Sequence, residues 1–417
     1  MNAETAPKNA WPVVAGSMVG LIAGNGPIVL FTYTIFLPAI VKDFGWTQAN
    51  VGFGILFAHA TAALMTPFVG MFIDKWGIRR VCLPFITLFA LSTAAIGLTP
   101  ASPSVFILLY AIAGVFSAGQ TVMPYTKAVA ACFDSKRGLA LGLALAGVGI
   151  GQLLMPQYVR YLIENFGWRN AYFGLGAATF VLAFPAVAFF VGQSEERLTE
   201  RRAANPDAIL PGIPAHDAVR SYRFWAIGAA GFLVAVAVNG AIPPVVPVLT
   251  ARGVTLATAA WIAGVSGIAA IVGRICSGFL LDRIFASYVA MIFFGIPLIG
   301  IVLLASGAGG IVPFLAVICL GLGLGAEIDT MGYMTSRYFG LRWFGESYGY
   351  IFGLFALGSG FGPLIWDLVF DATKNYSMAL WASAGSLVLA ALLVLSLGPY
   401  VYPAPRTMLR PEPVPAA

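Results

Sequence analysis

The chain is built from long apolar runs that recur along its whole length, separated by short polar breaks. A helix needs about 20 apolar residues to cross a bilayer. In that solvent each backbone polar group must be satisfied within its own segment, so each run reads as a helix. Twelve runs are found, at 12–39, 50–73, 81–99, 104–131, 138–162, 169–193, 222–250, 258–281, 286–307, 311–336, 346–369 and 376–400. With 59% hydrophobic and only 10% charged residues, the 417-residue chain lacks the polar surface a water-soluble globule requires. The expected fold is an all-α polytopic membrane protein. The first run, Trp11 to Ile40, is too long for a signal-peptide core and has no evident cleavage site, so it is read as a retained helix. Cys82, Cys132, Cys276 and Cys319 lie in or beside the runs, and their spacing suggests no disulfide framework.

The longest polar stretch, "QSEERLTERRAANPDAILPGIPAHDAVRSYR", follows the sixth run. It divides the chain into a six-helix bundle (1–193), a linker (194–221), a second six-helix bundle (222–400) and a tail (401–417). With the N-terminus in the cytoplasm, 16 basic residues fall on the cytoplasmic side and 5 on the other. The bias of Lys and Arg toward cytoplasmic loops then puts both termini inside, in a multi-pass protein of the cell (inner) membrane. The same bias accounts for the net charge of +6 without a nucleic-acid partner.

The two halves repeat at an offset of about 207 residues. "GMFIDKWGIRR" (70–80) has Gly70 four residues before Asp74 and Lys75, and "GFLLDRI" (278–284) has Gly278 four before Asp282 and Arg283. Pro156 follows Gly147, Gly149 and Gly151, just as Pro363 follows Gly358, Gly360 and Gly362. Such a repeat suits two bundles that rock about a central site. Twelve spans in two halves, with G-x-x-x-D-[RK]-x-G-x-[RK] between the second and third, resemble the major facilitator superfamily over essentially the whole chain. The resemblance implies two pseudo-symmetric six-helix bundles and a gating role for Gly70, Asp74, Arg79 and Arg80. Gly70 permits close helix approach, and Asp74 can accept bonds from a basic group or a helix N-terminus across the interface. A basic loop that only sets topology is the alternative reading. The second copy retains Asp282 and Arg283, which are further candidate gating residues, but not the glycine and basic pair beyond them.

Arg274 stands inside the eighth run, eight residues before Asp282. A mid-bilayer arginine costs at least ~2.5–3.5 kcal/mol on insertion scales, so it should face the bundle interior with a partner. It is either half of a structural ion pair or a site for an anion, because a guanidinium forms two parallel bonds to a carboxylate. R-x-x-x-G-x-x-x-D at 274–282 looks like the eighth-helix pattern of monocarboxylate transporters and oxalate/formate antiporters, which implies that Arg274 binds the substrate carboxylate. Two positions depart from those families: Ala270 stands where monocarboxylate porters usually have Asp, and Phe355 where the oxalate-type antiporter has a lysine. One cavity cation instead of two favours a monoanion.

A replacement carboxylate is sought in the tenth run, where Glu327 and Asp329 lie at the depth of Arg274, about 12 Å from the helix end at 1.5 Å per residue. Two residues apart on a helix point about 200° apart, so only one can face the cavity squarely. Asp329 shares its face with Tyr333, and Glu327 with Gly323 and Met331. Either is a candidate proton carrier, or a neutralising partner that never titrates. His59 in the second run is the next candidate for proton coupling, with a backbone-bonded packing role as its alternative. Tyr33, Gln120, Tyr125, Asn239 and Tyr333 are candidate substrate contacts, with Asn25 and Gln152 as further polar positions. Lys127 is seven residues from Asp134, about 10 Å along a helix, and is expected to snorkel to the cytoplasmic surface. Three prolines after Asn239 predict a bend in the seventh helix.

The leading expectation is a monomeric secondary active transporter of a small organic carboxylate anion, working by alternating access within the lipid bilayer with protons as the coupling partner. An efflux antiporter for amphipathic compounds shares the fold and is the alternative. An intramembrane enzyme or sensor finds little support: there are only two histidines, His59 and His216, with no HExxH or Walker sequence and no clustered metal ligands. No cofactor is expected.

Overall fold

The computed structural model describes residues 10–133, 136–192, 212–242, 245–251, 253–373 and 375–401. Most of the expected linker and nearly all of the tail lie outside them. Among the described residues every element is helical, apart from one isolated antiparallel bridge between Gly212 and Gly340. Eleven helices are long and apolar enough to span a membrane. One of these, 137–191, contains two spans, because Gly167 breaks it at φ 81 and ψ 161. Tyr158 Oη donates to the Gly174 carbonyl at 3.3 Å, so the chain folds back at that point. The twelve expected spans are therefore all present.

The spans are numbered in chain order. α1 runs from Trp11–Ile22 through a π turn at Gly26–Leu30 into Tyr33–Phe44. α2 is Gln48–Trp76 and α3 is Ile78–Ile96. α4 is Pro103–Ser117, a 3-10 turn at Ala118–Gln120, then Val122–Cys132. α5 (137–166) and α6 (168–191) flank Gly167. α7 is Tyr222–Ala241, followed by Val245–Ala251; Pro243 and Pro244, two of the three prolines of the expected bend, lie outside the described residues. α8 is Leu256–Leu281, α9 Ala286–Ala305, α10 Val312–Tyr338, α11 Phe344–Thr373 and α12 Ser377–Leu395. Ala215–Val219 forms a short linker helix, and Ile213 N donates to Phe339 O at 3.1 Å, which ties the linker to the second half.

Exposed side chains along the spans are large and apolar, among them Leu64, Leu91, Leu108, Val181, Trp261 and Leu392. Such a surface suits hydrocarbon and not water. Small residues set the packing inside. α2 of the first half lies on α11 of the second, and a Cβ at Gly70 would strike the Gly345 carbonyl. A Cβ at Gly349 would lie 2.9 Å from Pro67 Cα, and one at Gly353 would lie 2.9 Å from Ala63 O. α5 lies on α8 in the same manner: a Cβ at Gly278 would strike the Gly138 carbonyl, and one at Gly138 the Gly278 carbonyl. Gly70 and Gly278 occupy matching places in the repeat, as do Gly138 and Gly345. Backbone-to-backbone approach at glycine is what holds helices together where no hydrophobic force separates protein from solvent.

Gly77 of the motif has φ 91 and ψ 163, a conformation open to glycine, and it makes the tight reversal from α2 to α3. The reversal after α8 ends instead on Phe285 at φ −58 and ψ 129, so the second copy has no need of that glycine.

Substituting Gly278→Val is expected to force α5 from α8 and cost about 1–3 kcal/mol of stability. Gly385→Val, on an exposed face of α12 where a Cβ meets nothing within 4 Å, serves as the control. Thermal unfolding in detergent should show a lowered midpoint for the first variant and an unchanged one for the second.

Candidate functional site

A cavity of about 90 Å3 lies between the halves. α1, α2, α4 and α5 bring Asn25, His59, Gln120 and Gln152 to it, and α7, α8 and α10 bring Asn239, Arg274 and Glu327. Phe31, Phe352 and Phe355 supply much of the apolar wall. Three of the polar residues sit where helices are interrupted. Asn25 immediately precedes the π turn of α1, Gln120 ends the 3-10 turn of α4, and Asn239 lies at the end of α7 before the prolines. Irregular backbone at membrane depth is tolerated where it borders a cavity, and each break turns a side chain inward.

Most of these polar groups hold one another. Asn25 Nδ2 donates to Ser117 Oγ at 2.6 Å. Gln120 Nε2 donates to Gly20 O at 2.8 Å, and its Oε1 accepts from Tyr125 Oη at 2.8 Å. His59, 7% exposed, bonds the Ile55 carbonyl of its own helix through Nδ1 at 3.1 Å while lining the cavity. His59 thus makes the backbone bond of a packing residue and also borders the cavity.

The charged pair is deeper. Arg274 Nη1 donates to Asp329 Oδ1 at 3.0 Å, with the two residues 3% and 0% exposed. The contact is single: Arg274 Nε and Asp329 Oδ2 are buried without a hydrogen-bond partner. Close helix approach makes it possible. A Cβ at Gly273 would strike the Leu322 carbonyl and one at Gly325 the Ala270 carbonyl, so α8 and α10 nearly touch beside the ion pair. Ala270, where the resembled porters have Asp, is buried in that contact. Glu327 points elsewhere. Its Oε1 accepts from Asn239 Nδ2 at 3.2 Å, its Oε2 has no partner, and the side chain lines the cavity at 1% exposure. Of the two helix-10 carboxylates, Glu327 faces the cavity and Asp329 faces the arginine.

Three tyrosines expected at the substrate lie outside the cavity. Tyr33 packs among apolar residues of the first half, against Gly52, because the π turn rotates the second part of α1 relative to Asn25. Tyr125 stands behind Gln120 against Gly20 and supports the amide without reaching the cavity. Tyr333 is 8% exposed, with the Arg337 guanidinium 5.9 Å from its ring centroid, nearer the end of α10. Gln152 does line the cavity and makes no hydrogen bond among the described residues. α11 carries an aromatic face of which the sequence reading names only Phe355. Phe344, Tyr348, Phe352 and Phe355 follow one another at ring-centroid distances of 5.2, 6.1 and 5.6 Å, and Tyr348 Oη donates to Ile328 O at 3.2 Å. Their spacing along one helix face was the available signal.

At the end of the bundle nearest the linker, two carboxylates clasp the halves. Asp74 accepts from Gly345 N at 3.1 Å and Glu346 N at 2.8 Å, the open N-terminus of α11. Lys127 Nζ, expected to snorkel to the surface, pairs with Asp74 Oδ1 at 2.6 Å instead, since the carboxylate lies within its reach and the surface does not compensate. Asp282 accepts from Gly138 N at 2.7 Å and Leu139 N at 3.0 Å, the open N-terminus of α5. Both contacts use free helix N–H groups and the positive end of the helix dipole. Arg79 and Arg80 are exposed at the start of α3, and Arg283 lies 3.6 Å over the Phe279 ring of its own helix. Arg137, not anticipated, is 4% exposed and reaches Ser336 Oγ of α10 at 3.4 Å. Among the described residues no group of three His, Cys, Asp or Glu is placed to hold a metal.

Comparison with known proteins agrees with this architecture. Human monocarboxylate transporter 11 is 25% identical over 402 residues, covering 93% of this chain and 83% of that protein. Mouse monocarboxylate transporter 14 is 33% identical over 148 residues, which are 36% of this chain and 28% of that protein. The uncharacterized MFS-type transporter YhjX of Escherichia coli strain K12 is 24% identical over 84% of this chain and 86% of its own length. Among solved structures, the proton:xylose symporter XylE superposes with a TM-score of 0.72 at 13% identity, covering 94% of this chain and 96% of that one. The human organic anion transporter MFSD10 (TETRAN) superposes at 0.71 and 14% identity, covering 92% and 99%. The sequence profile of the Major Facilitator Superfamily matches residues 19–363, and the chain, a multi-span membrane transporter, belongs to that superfamily.

Proposed function

We propose that the protein is a secondary active transporter of a small organic monocarboxylate in the cell (inner) membrane, coupled to protons. The observation that carries the reading is Arg274, a buried cation on the wall of the central cavity that makes a single bond to its counter-ion. Its remaining N–H groups leave it able to take a carboxylate, and the monocarboxylate transporters among the relatives agree with that chemistry. Orientation follows from the basic loops: the clasped end faces the cytoplasm and both termini lie there. The clasps then close the cytoplasmic side in this conformation.

Coupling follows from a count of charge. Arg274 and Asp329 offset one another, which leaves Glu327 as the uncompensated carboxyl on the cavity wall. An incoming carboxylate adds a second negative charge in a low-dielectric site, which is costly unless a cation accompanies it. A proton on Glu327 meets that need, so substrate and proton bind together and cross as a neutral pair. Asp329 holds the arginine in place.

Four outcomes test the proposal. Arg274→Lys should lower substrate affinity roughly tenfold or more while leaving expression intact, because lysine cannot make the paired contact. Wild-type uptake in that variant would leave only a structural pair. Glu327→Gln should retain substrate exchange in proteoliposomes but lose accumulation driven by a pH gradient. Asp329→Asn, by contrast, leaves a buried cation unpaired and should cost about 3–5 kcal/mol of stability, read as a lowered unfolding midpoint. Asp74→Asn should slow maximal transport roughly tenfold with little change in affinity, since it loosens a clasp that must form and break each cycle. Measured turnover equal to wild type would remove Asp74 from the gate.

A further inference from the structure

Glu327 carries more information than coupling requires. Its carboxyl is 1% exposed, Asn239 occupies Oε1, and Oε2 is left open on a side chain that lines the cavity. Among the described residues no cation is bonded to it. Arg274 is bonded to Asp329, and the Nδ1 of His59 is bonded to a backbone carbonyl. Among the described residues that line the cavity, the neighbouring elements offer nothing else that is charged: α1, α4, α5 and α7 present Asn25, Gln120, Gln152 and Asn239, and α11 presents Phe352, Phe355 and Ser359. The titratable and charged groups around Glu327 are therefore Arg274 on α8, Asp329 on its own helix and His59 on α2. A buried carboxylate with an open oxygen calls for a cation, and that cation can belong to the substrate.

We propose that the same cavity takes zwitterions, small amino acids whose carboxylate meets Arg274 and whose ammonium meets Glu327 Oε2, and carries them without a proton. The inference rests on the carboxylate reading of Arg274 and extends it. An anion with a proton and a zwitterion without one bring the same net charge of zero into the site. Each therefore satisfies both Arg274 and Glu327, but they place opposite demands on the protonation of Glu327. The acid binds with Glu327 protonated, whereas the ammonium binds with Glu327 ionised.

Matched pairs separate the two modes: acetate with glycine, propionate with β-alanine, and butyrate with γ-aminobutyrate. Each pair shares a carbon chain and differs in the ammonium, and the series varies the spacing between the charges. Binding to the purified full-length transporter would be measured by calorimetry. At least one amino member should bind roughly tenfold more tightly than its matched acid at mildly alkaline pH, the worth of a charge-assisted bond. Acidification should strengthen binding of the acid and weaken binding of the amino member. In Glu327→Gln the advantage of the amino member should vanish, and binding of the acids should lose its pH response. If the acids bind and no amino member does, or if both titrate in the same direction, the zwitterion proposal is overturned while the carboxylate reading stands. If neither set binds, both fall. Should Glu327→Gln fail to fold, the opposed pH responses of the wild type decide the matter.

Discussion

A guanidinium in the middle of a bilayer is the constraint around which the second half is organised. Arg274 is a cation only 3% exposed, so the fold must bring it a negative charge. Asp329 does so across two helices that approach to backbone contact at Gly273 and Gly325. Ala270, where the resembled porters have Asp, is buried in that approach. The counter-charge has in effect moved from the arginine's own helix to the neighbouring one. The price is rigidity, since α8 and α10 must move together if the pair is to survive the transport cycle.

The first half contributes differently. Around the cavity it presents amides and one imidazole, and these are largely engaged with backbone carbonyls or with each other. The formal charges on the wall belong to α8 and α10. One half thus carries the formal charge and most of the aromatic wall, and the other supplies a largely neutral polar face. Division of labour of this kind suits a site that must be opened from either side.

Much of this was legible in the sequence. Twelve apolar runs, the repeat offset and the single mid-span arginine sufficed for the architecture, because bilayer thickness and the cost of buried charge admit few solutions. The partner of Asp74 was also foreseeable in kind, as a helix N-terminus or a base, and the structure supplies both. Side-chain direction was not foreseeable for Tyr33 and Tyr125. Residue spacing gives an angle only along a regular helix, and α1 and α4 are interrupted by π and 3-10 turns. The partners of Asp282 on α5 could not be read either, since they are backbone N–H groups that leave no signature in the residue letters.

The two clasps are alike in plan and unequal in environment. Asp74 is 3% exposed and engaged by an ammonium as well as by α11, whereas Asp282 is exposed and meets only the backbone of α5. Mobile ions screen an exposed charge far more than a buried one. The closure between the halves therefore has a salt-sensitive edge along α5 and α8 and a salt-insensitive edge along α2 and α11.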